Sequence, residues 1–130
     1  MLEKLNPPDS VRPFNDVYHH VVVIPPNARI AHVAGQVGLD PSGQLPATRE
    51  AEADQAWANV MAALRAAGMG RENIVKITAY LVDAEDYPAF AAARTKAIGD
   101  ARPASTALLV KQLLKPEWGF EIEAIAAASP

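Results

Sequence analysis

Hydrophobic and polar positions alternate most cleanly near the C-terminal end. From Phe120 the chain reads Phe-Glu-Ile-Glu-Ala-Ile-Ala, and alternation at every second residue marks a strand with one buried face. Glu121 and Glu123 then share one face, ~7 Å apart along the strand, and Ile122, Ala124 and Ala126 share the other. A second apolar run, Ser105 to Leu113, precedes it, and Pro116 and Gly119 supply turn chemistry between the two. Asn73 to Val82 alternates in the same way. Val75, Ile77, Ala79 and Leu81 line one face, and Lys76, Thr78, Tyr80 and Val82 the other. Two further strands are predicted near the start: the β-branched run Val17 to Ile24, closed by Pro25-Pro26-Asn27, and Arg29 to Val37. Their proximity predicts a hairpin. Residues 1–12, with Pro7 and Pro8, read as an extended arm.

The period changes after the Asp40-Pro41-Ser42-Gly43 turn. Ala53, Trp57, Val60, Leu64 and Ala67 recur at spacings of three and four, the pattern of one apolar helical face. Thr48 is placed to cap this helix, Glu50 and Glu52 suit the positive end of its dipole, and Gly68 ends it. Asp86 is placed to cap a second helix, with Pro88 in its first turn and Gly99 at its end. The order β-β-α-β-α-β-β predicts an α+β fold: one domain across residues 1–130, a single sheet with two helices on one face. Tyr80, Val82, Thr106, Leu108 and Val110 fall on or near the uncovered face. An apolar sheet face left open predicts a homo-oligomer that buries it, with clefts between subunits.

A chain of 130 residues supports one hydrophobic core, and a composition 50% hydrophobic and 21% charged is that of a globular domain. The formal net charge is −3 with no basic run, which argues against a nucleic-acid partner. Without cysteine there is no disulfide and no thiolate nucleophile or metal site. No apolar stretch reaches membrane-spanning length and no signal-peptide pattern stands at the start, so a soluble, cytoplasmic protein without a membrane partner is expected.

The candidate chemistry is sparse. Glu121 is a candidate acid/base or water-positioning group, and Glu123 a candidate for an ion pair with Lys76 or Lys111. Ser105 and Thr106 are candidates for hydrogen bonding to a ligand. Neither is a nucleophile, because no Gly-x-Ser-x-Gly elbow surrounds them. Adjacent His19 and His20 point to opposite faces of an extended chain, and no His-Glu-x-x-His pattern exists, so no metal is expected. His32 shares a face with Ile30 and Ala34 and reads as a buried, satisfied histidine, with proton transfer as the sharper alternative. Trp57 and Phe90 are core by periodicity. Trp118 is placed to wall a pocket or staple a subunit contact.

One ordered set of residues carries a resemblance. Gly35-Gln36, Gln55, Asn59, Val75-Lys76-Ile77-Thr78, Tyr80-Leu81-Val82-Asp83, Asp86-Tyr87, Arg102-Pro103-Ala104 and Glu121-Ile122-Glu123-Ala124-Ile125 occur in sequence. From Pro13 to Ala126 the chain resembles the RidA family (YjgF-like, endoribonuclease L-PSP). The resemblance implies a fold like chorismate mutase, a homotrimer and small-molecule clefts between subunits, with no cofactor. In that family reactive imines and enamines are hydrolysed to 2-oxo acids and ammonia. An arginine grips the substrate carboxylate, and a water is held near a glutamate.

Mapped onto this chain, the glutamate is Glu121, and the cleft residues are Phe14, Ala34, Gly35, Gln36, Ala91, Ser105, Thr106 and Trp118. Four of these depart from the family pattern. Ser105 stands where the family has its arginine. Phe14 replaces a tyrosine, Ala34 a serine, and Ala91 an asparagine. Losing one charged partner at a desolvated site costs about 2–5 kcal/mol. The resemblance therefore implies altered specificity, for a ligand that lacks a carboxylate or is larger and less polar. A non-catalytic metabolite-binding or chaperone-like trimer is the alternative. The family's RNA-cleaving label fits poorly with an acidic chain that has no aromatic-basic surface.

Overall fold

A computed structural model describes all residues, Met1–Pro130. Six strands and two helices occur: β1 (Glu3–Leu5), β2 (Val21–Val23), β3 (Arg29–Val37), α1 (Arg49–Ala66), β4 (Ile74–Leu81), α2 (Tyr87–Ile98), β5 (Ala104–Leu109) and β6 (Phe120–Ala128). The main sheet is mixed, in the order β3-β6-β4-β5. The alternating β6 lies between β3 and β4, antiparallel to both. The pair β4-β5 is parallel, which requires the crossover that α2 supplies.

Both helices pack on one face of this sheet, as the polarity pattern requires. Ile77, Ala79, Leu81, Phe120, Ile122, Ala124 and Ala126 are buried beneath Trp57, Val60 and Leu64 of α1 and Phe90 and Ala93 of α2. Emptying one large site in such a core by substitution to alanine costs about 2–5 kcal/mol. Thr48 caps α1 by accepting a hydrogen bond from the Ala51 amide at 3.1 Å. Gly68, at φ +71°, follows it in the left-handed region that a helix C-terminus favours. Gln55 donates to Asn59, whose amide reaches the carbonyls of Val37 and Leu39, both at 2.9 Å. That bond set ties α1 to the end of β3.

Three expectations need correction. The Val17–Ile24 strand and its hairpin with Arg29–Val37 do not form. Asn15 and Asp16 turn the chain through positive φ, and the next backbone groups are claimed from elsewhere. Arg94 takes the Val17 carbonyl, the Pro103 carbonyl takes the His19 amide, and Asn6 takes the His20 amide. Only Val21–Val23 remains extended, and it pairs with β1 in the supposed arm, making a second, two-stranded sheet. The strand expected over Ser105–Leu113 spans only Ala104–Leu109, and β3 and β4 flank β6. Asp86 makes no capping bond. Asp83 caps the short turn before it, accepting from the Glu85 amide at 2.9 Å, while Asp86 turns to Arg49.

Candidate functional site

The uncovered sheet face carries the acids. Between Val33 and Gln36 the β3-β6 register shifts, so that Ala34 and Gly35 together oppose the single residue Glu123. This is a β-bulge, which re-aims neighbouring side chains. Gly35 is required by close approach: a Cβ there would lie 2.0 Å from Glu121 Oε2. Glu121 is thus pressed against bare backbone. Glu123 accepts a short hydrogen bond from the Tyr80 hydroxyl, whereas Glu121 has no protein donor. The Tyr80 phenol is held above its ordinary pKa of 10.0, first by the bond to Glu123, then by desolvation, then by the charges of Glu123 and Glu121. Glu121, Glu123, Tyr80 and Gly35 line an open groove of about 340 Å³, together with Gln112 and Leu113.

An adjoining groove of about 500 Å³ holds His32, Ala34, Lys76 and Thr78, with Glu123 shared between the two. His32 is exposed rather than buried, because strand alternation places it opposite the core residue Val33. The expected Glu123–Lys76 ion pair is absent. Lys76 reaches the other way and donates to Thr106 Oγ1 at 2.8 Å, and Tyr80 occupies Glu123 instead.

The second candidate region lies at the β5 edge. Ser105 pairs with Ile77, on the helix side, and Thr106 with Thr78, on the open side. The strand therefore divides two residues that were expected to act together. Both nonetheless border one pocket of about 410 Å³, with Phe14, Tyr18, Tyr87, Phe90 and Arg94. Ala91, Gln36 and Trp118 line none of these grooves. Gln36 bonds back to the Ala34 carbonyl at 3.1 Å, and Trp118 lies under Lys115, whose Nζ is 5.8 Å from the ring centre.

Sequence reasoning missed Arg94. It is 8% exposed, and its guanidinium donates to the Val17 carbonyl at 2.8 Å. Burial pulls its pKa below the ordinary value; Tyr87 opposes this, and the like charge of Arg102 adds to it. The signal was present: Tyr87, Phe90, Arg94 and Ile98 recur at three and four, so a cation interrupts the apolar face of α2. Glu52 was missed as well. Only 1% exposed, it accepts from Arg49 Nη1 at 2.5 Å and from the Gly119 amide at 2.6 Å.

Two half-sites result: Glu121 with Gly35 on the open face, and Ser105 with Phe14 and Arg94 on the helix side. A mixed sheet with two helices on one face, and carboxylates over a bulged strand on the other, is an α+β fold. A model of the endoribonuclease L-PSP family matches residues 8–128, and the chain belongs to that family, the RidA/YjgF family. It is 40% identical over 105 residues to the goat 2-iminobutanoate/2-iminopropanoate deaminase, covering 78% of this chain and 75% of that protein. A conserved Rid-family protein of Yersinia pestis superposes with a TM-score of 0.85, 27% identity and 98% of each chain covered. TdcF of E. coli, solved with bound serine, superposes with a TM-score of 0.73 and 25% identity, covering 99% of this chain and 98% of that one.

Proposed function

We propose that the chain is an imine- or enamine-hydrolysing deaminase of altered specificity, working as a homotrimer whose clefts form between subunits. One observation carries this reading: Glu121 is an uncommitted carboxylate beside a bulge, positioned by Gly35, on a sheet face that no element of its own chain covers. The likeness to the goat deaminase supports the reaction class. Glu121 and Ser105 lie on opposite sides of the sheet, so a single chain does not bring them to one ligand. Two copies do, if the open face of one meets the β5 edge of the next. Leu108 and Leu109, 39% and 56% exposed at that edge, favour such a contact.

In this reading Glu121 orients a water and takes its proton as the oxygen attacks the imine carbon. The C–N π pair moves to nitrogen, which receives the proton that Glu121 took from the water. The tetrahedral aminol then collapses, the C–N bond breaks, and ammonia leaves as the C=O bond forms. Positioned acid/base catalysis of this kind contributes roughly 10²–10⁴-fold. Ser105 cannot make the two-pronged contact of a guanidinium from β5, and this is the reason to expect altered specificity.

The test is ammonia release from enzymatically generated imines that differ in carboxylate and side-chain size. Turnover that falls at least a hundredfold in Glu121→Ala supports the hydrolase. Silence across the panel, in Ser105→Arg as in the parent chain, overturns it in favour of a metabolite-binding trimer. Sedimentation as a stable monomer at micromolar concentration removes the inter-subunit cleft.

A further inference from the structure

The pocket behind Ser105 has lost a cation from β5, yet it holds one from another element. Arg94 reaches it from α2, 8% exposed, and its single protein hydrogen bond is to the Val17 carbonyl at 2.8 Å. A guanidinium has five N–H donors in a planar fork, so most of this one is unused. Every ion pair in the chain belongs to Arg49 or Lys96, and no carboxylate answers Arg94. A buried charge without a counter-ion is costly, and such a charge facing a cavity is matched by what enters the cavity.

The surroundings agree in sign. Arg102, whose charge bears on Arg94, donates only to the carbonyls of Asp16 and Asp100, at 2.7 and 3.0 Å. A locally positive pocket thus stands in a chain of net charge −3. Ser105 adds a hydroxyl on the same side of β5. Phe14, Tyr87 and Phe90 supply an aromatic wall, and about 410 Å³ suits a small organic molecule.

We infer that Arg94 binds an anionic group of the ligand, a planar carboxylate, in the Ser105 pocket, with the ligand's apolar part against Phe14, Tyr87 and Phe90. The cation is delivered by α2 rather than by β5, so the carboxylate enters at a different angle and leaves room for a bulky side chain. For the substrate this rests on the proposed hydrolase: it is a carboxylate-bearing imine with an aromatic or large apolar side chain. The anion site itself stands without the chemistry.

Phenylacetate and its neutral counterpart phenylacetamide are suitable probes, with dissociation constants measured by calorimetry on the full chain. The expected result is at least tenfold tighter binding of phenylacetate, falling to parity in Arg94→Gln while sedimentation and the unfolding midpoint stay the same. Equal binding of the two probes, a preference that survives Arg94→Gln, or no binding of either at millimolar concentration overturns the inference. Should Arg94→Gln fail to fold, Arg94→Lys decides. It keeps the charge but not the fork, so the preference drops several-fold if Arg94 reads the carboxylate and is unchanged if it does not. The two proposals fail separately. An Arg94-dependent preference without any ammonia release removes the hydrolase and keeps the anion site. Ammonia release with an unchanged KM in Arg94→Gln does the reverse.

Discussion

Two regions of this molecule bury a charge, Glu52 and Arg94, and they treat it in opposite ways. At the start of α1, Arg49 meets Glu52 at 2.5 Å and Asp86 at 3.4 Å, and Glu52 also accepts from the Gly119 amide at 2.6 Å. Charge is answered by charge, and the spare lone pair by a backbone donor. Burial raises the Asp86 pKa, and Arg49 opposes that rise. On α2, Arg94 is buried more deeply than Arg49 and holds one carbonyl. The first region ties α1 to the loop before β6 and is complete within the chain. The second keeps donors pointed at a cavity. Satisfaction separates a buried charge that serves the fold from one available to a ligand.

The largest effect that sharpens this contrast is expected at Glu52. Glu52→Ala removes the only acceptor of a buried amide and the closest partner of Arg49, and should destabilise by about 3–5 kcal/mol. Urea unfolding measures it. Glu52→Gln keeps an acceptor for Gly119 and should cost less. A loss below about 1 kcal/mol in Glu52→Ala would erase the distinction between the two regions. Arg94 stands at the other pole. Replacing an unanswered buried charge with a hydrophobe of similar length, Arg94→Met, should change stability by about 1 kcal/mol or less. A loss as large as that of Glu52→Ala would make Arg94 a structural group like Arg49.

Gly35 is expected to fall between these two. An added methyl lies 2.0 Å from Glu121 Oε2, and the far end of that side chain can swing away. Gly35→Ala should therefore cost about 1–3 kcal/mol, the range for overpacking, and should displace Glu121 from its groove. Ammonia release should drop nearly as far as in Glu121→Ala. Undiminished turnover would detach the bulge from the reaction.

Legibility in the sequence followed the same division between local and distant causes. The alternation in β4 and β6 and the three-four spacing in α1 are local consequences of facing one core, and the structure keeps them except at the ends, where a register shift puts Ile74 rather than Val75 in the core and Ala67 lies past α1. The early hairpin failed because its backbone partners, Asn6, Arg94 and Pro103, lie on segments far along the chain, while a β-branched run reports only propensity. Glu52 looked like a solvated dipole partner because its partner Gly119 is 67 residues away. Glu121 and Gly35 were each readable as candidates, but their contact depends on the β3 bulge, which alternation does not report. Ser105 and Thr106 both border the pocket at the β5 edge, and the alternation that unites Glu121 with Glu123 turns their side chains to opposite faces of the strand. Arg94 was hidden by the alanines around it, though its position on the apolar stripe of α2 was readable.

The smallest expected effect tests how the two carboxylates of the open face divide their roles. Tyr80 donates its proton to Glu123, so ionising it breaks that bond and sets a phenolate beside two acids. Its folded pKa is raised, so whatever it adds to stability is fully present below the ordinary value of 10.0 and is lost as pH rises through the folded one. Ultraviolet titration of the three tyrosines should show one that ionises late, absent in Tyr80→Phe. Glu123→Gln should bring that step down most, because the hydrogen bond to the ionised carboxylate is the largest cause of the shift. Glu121→Gln should lower it only slightly, because Glu121 acts on Tyr80 through charge alone. Equal shifts in the two variants would mean that Tyr80 bridges both carboxylates. Glu121 would then be a committed partner like Glu52, and the proposed water-orienting role would lose its free carboxylate.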